Sequence, residues 1–518
     1  MEHIPGTIGG FADTKIKTSK SLLTRILERR ARINTKWRGE TKRGGGYASE
    51  VAPPVMWRGT TKQTAGINPF VLGNTVPRIG APVGVHYDTN EPMGCDPLFW
   101  FLGGMIGNPS CAWMSNPAAG KSTAMRVMMT GLASRGVTNM VIGDNKYEHG
   151  EPIKKLGGKS LTIAPGLGVL NVLDPGNIHE ALQLVDHYPG ISDEKRAALR
   201  ARIVNHLHQQ RHDLVVTLLE THRGAPLSSV EFEVVGNSLV YMFEESPHRV
   251  PILEDLLGLI NNPPAEIKDL TNWLKDENRY QDRVDALVTD LASLCRSRTM
   301  GAMFNGQTTV DMSDYEKGLV FDTSQINANQ PKLISAAYLA TWFVAFTIIE
   351  VDHLLADYGV KPRGQFMAWL DEFWRPLSAS KGIVDRVNGL TRLNRTTGVG
   401  VAYAIHTTDD LNNVADPEDR AKAAGILRRC GMQWFGGLPH EEVMKISETV
   451  TRLRDSEIEQ LVEWYNPEFE EAGGWIPGRG CFLIKLGERA GIPVRVTLTQ
   501  TEIDHKFHET SARLIDAA

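Results

Sequence analysis

Short apolar runs alternate with amphipathic segments over two stretches of this chain, and a purely helical pattern lies between them. In the first stretch Cys111–Met114, Asn139–Ile142, Ser160–Ile163 and Asn171–Asp174 read as strands, with a helix over about 121–134. In the second, Gly318–Asp322, Gln365–Leu370, Gly398–Ile405, Gln433–Phe435, Gly480–Lys485 and Pro493–Thr497 read as strands. Strands alternating with helices predict an α/β fold with a mainly parallel sheet. Between the two, the 3.6-residue period predicts helices at Glu194–Gln210, Ser228–Glu244, Ile252–Ile260 and Gln281–Leu294. The expected organisation is a peripheral N-terminal arm (1–80), a first core part (81–177), an all-helical insertion (178–300) and a second core part (301–518).

The uncharged run Leu333–Ile349 is slightly short for a membrane span and carries two Thr and a Ser. It is expected to be a buried helix. His206, His208 and His212 do not share one helix face at their spacing, so a solvated helix is expected there rather than a metal site.

With 518 residues, 42% of them apolar, the chain can bury a sizeable core. Its net charge of −5 gives no global signature of nucleic-acid binding. Residues 15–43, however, carry eleven Lys and Arg against Glu28 and Glu40. Leu22, Leu23, Ile26, Leu27 and Ile33 add an apolar stripe to that run. Nucleic acid, an anionic membrane, an acidic partner or a neighbouring subunit would each suit such an arm. The five cysteines are scattered without a CxxC pair, which indicates neither zinc nor disulfides and fits a reducing cytosol. No signal peptide is expected at the start.

The chemistry concentrates at Ser115-Asn116-Pro117-Ala118-Ala119-Gly120-Lys121-Ser122, followed by Thr123. Strand, turn, Gly-Lys-Ser and helix are the context of a phosphate-binding loop. Backbone N–H groups there would face a polyphosphate. Lys121 would reach the β- and γ-phosphates of ATP, and the Ser122 hydroxyl would ligate Mg²⁺. Ser115 stands where the pattern begins with Gly, and Ser takes positive φ less readily. The strand Gln365–Leu370 ends in Asp371-Glu372. Asp371 is assigned to the metal and Glu372 to general-base activation of water.

Taken in order, these motifs resemble the conjugation ATPases of type IV secretion, in the FtsK–HerA branch of phosphate-loop motors. The similarity is greatest to actinobacterial conjugal-transfer ATP-binding proteins related to TraC. The residues carrying it, over roughly 81–500, begin with Asp144-Asn-Lys146-Tyr-Glu148, Leu156-Gly-Gly158 and Ala164-Pro-Gly166. They continue with Leu170-Asn-Val-Leu-Asp-Pro175, Met303-Phe-Asn-Gly306, Thr308-Thr-Val-Asp311 and Asp371-Glu-Phe-Trp374. The resemblance implies a RecA-like ATPase core that forms a ring, usually a homo-hexamer, with ATP at subunit interfaces. An Arg would then come from the neighbour, and Arg392, Arg395 and Arg479 are the candidates. It implies a cytoplasmic protein, or one peripheral to the inner face of the cell membrane, working with secretion or conjugation machinery.

The chain departs from the family's pattern at Ser115, at Asn145 for a usual Pro, and at His406-Thr407 where Thr-Gln is usual. His406 would sense the γ-phosphate in place of Gln. The large N-terminal domain of the family is expected to be reduced to the short arm. The implied function is a motor energising conjugative DNA transfer or channel assembly. A DNA translocase or coupling ATPase of the same fold is the alternative, as is a nucleotide-bound scaffold with little hydrolysis.

Overall fold

The computed structural model describes residues 76–174, 178–245, 250–270, 277–309, 312, 314–377, 384, 398–414, 416–465 and 478–508. The basic arm, Arg392 and Arg395 lie outside the described residues.

Eleven strands form one sheet among the described residues. They are β1 (Pro82–His86), β2 (Pro92–Gly94), β3 (Ser110–Met114), β4 (Val137–Asp144), β5 (Lys159–Thr162) and β6 (Leu319–Asp322). The set continues with β7 (Gln365–Leu370), β8 (Gly400–Ile405), β9 (Met432–Phe435), β10 (Cys481–Lys485) and β11 (Ile492–Val496). The order across the sheet is β2-β1-β11-β10-β9-β3-β8-β7-β4-β6-β5. From β9 to β5 every pairing is parallel. From β9 outward to β2 every pairing is antiparallel.

The central strands are apolar without alternation because helices cover both faces. All residues of β3, β4 and β8 are buried, as parallel sheets require. On one face, Trp113 stacks on Trp434 with ring centroids 4.2 Å apart, and Phe482 meets both edge-on. On the other lies the helix Pro331–Asp357, whose 18-residue apolar window is 94% buried. It is long and apolar enough to cross a membrane, but here it serves as a core helix.

Between β5 and β6 the described residues are helical, save for turns. The longest of these helices, Asp193–Arg223, starts at Ser192, whose hydroxyl accepts from Lys195 N, and stops at Gly224 with φ 81°. Its Leu199, Ile203 and Leu207 pack with Val351 and Leu355 of the buried helix. The three histidines diverge on it. His206 pairs with Glu350 at 2.6 Å, His212 bonds Phe232 O at 3.1 Å, and His208 meets Phe243 edge-on.

Two expectations need correction. Asn171–Asp174 is a turn, not a strand. The Asn171 side chain accepts from Leu173 N at 3.0 Å and donates to Pro251 O at 3.0 Å, an Asx turn that replaces ladder bonds. β1 and β2 were not anticipated. Pro82, Gly84 and Pro92 break the apolar alternation, and pairing to β11 makes the strand.

One tyrosine ties the sheet to the buried helix. The Tyr338 hydroxyl bonds Gly143 O at the end of β4 and Asp371 O at 3.0 Å, just past β7. Gly143 sits at φ 72°, and a Cβ there would fall 2.2 Å from the Tyr338 ring. Gly143→Ala is therefore expected to destabilise the fold by about 2–5 kcal/mol through strain and overpacking, read as a lowered melting temperature.

Candidate functional site

β3 delivers the loop. Its last residue, Met114, accepts from Gly436 N at 2.9 Å, and Asn116 N reaches Gly437 O. Ala118 at φ 66° and Gly120 at φ 95° reverse the chain twice. Alternating handedness of this kind turns successive N–H groups inward as an anion-binding nest. Gly120 precedes the helix Lys121–Ala133, and no side chain caps that end. The orphan N–H groups and the positive end of the helix dipole thus face the loop. Asn116 is half-buried, Pro117 and Ala118 are exposed, Ala119 is buried, and Ser122 and Thr123 are half-buried in the first turn.

The concern over Ser115 is answered by its backbone. Ser115 is not among the positive-φ residues, so it carries no such strain. Its side chain is buried where Gly436 leaves room, since a Cβ on Gly436 would meet Ser115 Cβ at 2.6 Å. The strained non-glycine of the loop is Ala118 instead.

β7 delivers the acids. Lys121 Nζ lies 3.3 Å from Asp371 Oδ1, and His149 Nε2 lies 3.5 Å from Oδ2. Burial alone would raise the Asp371 carboxyl. The Lys121 ammonium and His149 outweigh it and hold the group well below the usual carboxylate range. Burial also opposes ionisation of Glu372, and there His406 and Lys146 prevail, so this carboxyl too is depressed. Glu372 Oε1 takes Lys146 Nζ at 2.6 Å and His406 Nε2 at 3.1 Å, while Oε2 takes Trp374 Nε1 at 2.9 Å. Glu372 itself sits at φ 51°, a left-handed turn that aims its side chain away from the line of the strand.

β4 supplies the third side. Asp144 accepts from Glu148 N, His149 N and Gly150 N at 2.9, 2.8 and 3.2 Å, which shapes the turn after the strand. Burial would lower the His149 imidazole, but its bond to Asp371 and the charge of Asp144 raise it. Arg126, buried on the loop's helix, donates to Glu148 O at 2.8 Å and to His508 O at 3.1 Å. Glu148, His149 and Asp371 each bring one ligand atom to within 4.8 Å of the others. The Glu148 Oε2 atom is buried without a hydrogen-bond partner. An ionised carboxylate beside an unsatisfied oxygen suits a hard divalent cation.

Lys121, Ser122, Asp371, Glu372 and His406 are thus gathered at the C-terminal ends of β3, β7 and β8. Sequence reasoning passed over His149, Arg126 and Tyr338, and quoted Lys146 only as part of a motif. Arg479 lies close to the loop. Its Cγ lies 3.9 Å from a Cβ built on Gly120, and Gly480 N donates to Ala119 O at 2.8 Å. It therefore flanks the loop of its own chain.

No protein-family model matches this chain, and no curated protein matches it in sequence. Solved structures do. VirB4 of Thermoanaerobacter pseudethanolicus superposes with a TM-score of 0.58 at 16% identity, covering 83% of this chain and 99% of that one. The two share one fold. The conjugative coupling protein TrwBdeltaN70 is less similar, with a TM-score of 0.44 at 11% identity over 83% of this chain and 90% of its own. At that superposition it carries no argument. The likeness to VirB4 supports an α/β, RecA-like core with a mainly parallel sheet.

The loop geometry makes an ordered expectation. A left-handed conformation costs a residue with a Cβ roughly 1–2 kcal/mol. Ala118→Gly should therefore leave nucleotide affinity equal or improved, whereas Ser115→Gly should bring no gain. Gly120→Ala should lose nucleotide binding, because its Cβ would crowd Gly480 N at 3.3 Å from a strained φ. Titration of the three folded variants with a fluorescent ATP analogue checks the order.

Proposed function

We propose that this protein is a Mg²⁺-dependent ATPase whose turnover drives conjugative DNA transfer or the assembly of a type IV secretion channel. The observation that carries the reading is the Lys121–Asp371 contact at 3.3 Å. It brings a Gly-Lys-Ser loop and a strand-end acid pair into one buried site. The family resemblance and the VirB4 fold supply the biological setting.

In the proposed reaction Lys121 leaves Asp371 for the β- and γ-phosphates of ATP. The first-turn N–H groups of the helix hold the polyphosphate. Ser122 and Asp371 would hold Mg²⁺, which supplies charge neutralisation between the phosphates when bound. Glu372 takes a proton from water as the water oxygen bonds the γ-phosphorus. The bond from that phosphorus to the β–γ bridging oxygen breaks, and ADP leaves. His406 hydrogen-bonds the γ-phosphate as the sensor. Lys121 and Arg479 add positive charge from the same chain. Arg392 and Arg395 stay as candidates for a contribution from the neighbour in a homo-hexameric ring. The protein would work in the cytoplasm, at or near the inner face of the membrane, beside the secretion machinery.

A second reading draws on the same geometry. Glu372 is held by three donors and its carboxyl is depressed, which suits a protein that binds ATP and hydrolyses it slowly. Turnover decides between them, and stimulation by DNA would mark a coupling ATPase.

Lys121→Ala is expected to abolish ATP binding in a folded protein, since phosphoryl transfer rests on positioning and charge. Retained ATPase activity in that variant would sink the assignment. Glu372→Gln should keep ATP bound and lower turnover by about 10²–10⁴-fold. For the ring, activity per subunit should rise with protein concentration. A monomer that is fully active at the highest dilution would exclude a shared site.

A further inference from the structure

Lys146 has no role in the reaction as written, yet it makes the shortest ion pair in the site. Its ammonium lies 2.6 Å from Glu372 Oε1. The two partners differ in environment: the carboxylate is 4% exposed, and the lysine side chain is 46% exposed. The ammonium thus reaches the buried base on a side chain that is itself half in solvent at the sheet's C-terminal edge.

The root of this lysine is fixed. Before it, Asn145 Nδ2 donates to the Tyr338 hydroxyl at 2.9 Å, and Asn145 Oδ1 accepts from Thr323 at 2.7 Å. After it, Tyr147 turns through φ 54° and donates to Glu151 at 2.7 Å. The backbone is held at both ends while the flexible stem is half in solvent. Asn145 thus anchors the turn through both ends of its amide, to Tyr338 and to Thr323.

We propose that Lys146 is a γ-phosphate-binding residue that rests on Glu372 and passes to the terminal phosphate when a nucleoside triphosphate binds. The proposal rests on the ATPase reading above. Lys121 and Lys146 then form a matched pair, since each rests on one of two consecutive acids and each has a phosphate to move to. A general base sits behind the γ-phosphorus, opposite the bond that breaks, in an in-line displacement. Lys146 Nζ lies 2.6 Å from that base, so in the proposed pose it would meet γ-oxygens, and a ligand ending at the β-phosphate would fall short of it. The transfer also strips a donor from Glu372 and leaves its Oε1 to His406 and the attacking water. Triphosphate binding and release of the base become one event.

The test uses the full chain with Mg²⁺ and two probes, ADP and the slowly hydrolysed ATPγS, with Kd measured by calorimetry. In Lys146→Met, ATPγS should weaken about tenfold or more, as expected for loss of a charge-assisted phosphate contact, while ADP stays within about twofold. Lys146→Arg should restore the preference for the triphosphate. Equal effects on both nucleotides, or none on either, overturn the proposal. Intact ADP binding shows that the variant is folded. Should Lys146→Met not fold, Glu372→Gln decides, because it releases Lys146 from its resting partner. ATPγS should then bind several-fold more tightly with ADP unchanged, and no tightening refutes the exchange. If Lys121→Ala binds both nucleotides as well as wild type, the nucleotide site itself is wrong. If Lys121→Ala loses both and Lys146→Met keeps the wild-type ratio, only the role of Lys146 fails.

Discussion

Two carboxylates emerge side by side from a buried strand, and the site is arranged to keep both ionised. Unpaired, each would pay a desolvation penalty of several kcal/mol or take up a proton. Asp371 is matched by Lys121 and His149, and Glu372 by Lys146, His406 and the Trp374 indole. These partners come from the ends of β4 and β8, from the turn after β7 and from the loop's own helix. The acid pair thus acts as a hub that draws β3, β4 and β8 toward the end of β7 before any ligand arrives.

The same arrangement explains how a chemically reactive edge can sit on so apolar a sheet. The core strands are buried on both faces and carry few polar side chains, among them Asn139, which accepts from Trp369 Nε1 across β4 and β7 at 2.9 Å. The charged residues of the site gather where the strands end. There Asp144 gathers three N–H groups and Tyr338 joins the ends of β4 and β7. Tyr338 reaches them from the largely apolar first half of the helix Pro331–Asp357, so its hydroxyl links the interior packing to the geometry of the site. Five left-handed residues fall along the same edge, at Ala118, Gly120, Gly143, Tyr147 and Glu372. Strain clustered at a site and supported by a rigid sheet is the pattern expected where positioning matters.

Beyond the site, the described residues of 178–304 attach to the helix Pro331–Asp357 through apolar side chains and the His206–Glu350 pair, and none of them bonds the acid pair. Its residues join the main core cluster, so it buries the outer side of that helix against solvent. A helix apolar all round needs such a cover to remain in a water-soluble core.

Local signals were legible in the chain itself. The phosphate loop, the start of its helix, the acid pair after an apolar run and the buried helix each depend on neighbours within a few residues, where period and turn chemistry act. The two elements misjudged from local pattern show the limit. An Asx turn overrode a strand-like run at Asn171–Asp174, and β1 became a strand only by pairing with β11, four hundred residues away. Spatial order was the work of the tertiary structure. Placing β8 between β3 and β7 sets His406 beside the acids, and placing β4 on the far side of β7 brings Lys146 onto Glu372. The place of Arg479 beside the loop follows from a contact across hundreds of residues between the turn before β10 and the loop after β3. Such pairings are chosen by the packing of whole strands and helices, an energy shared among many side chains and written in no single stretch of sequence.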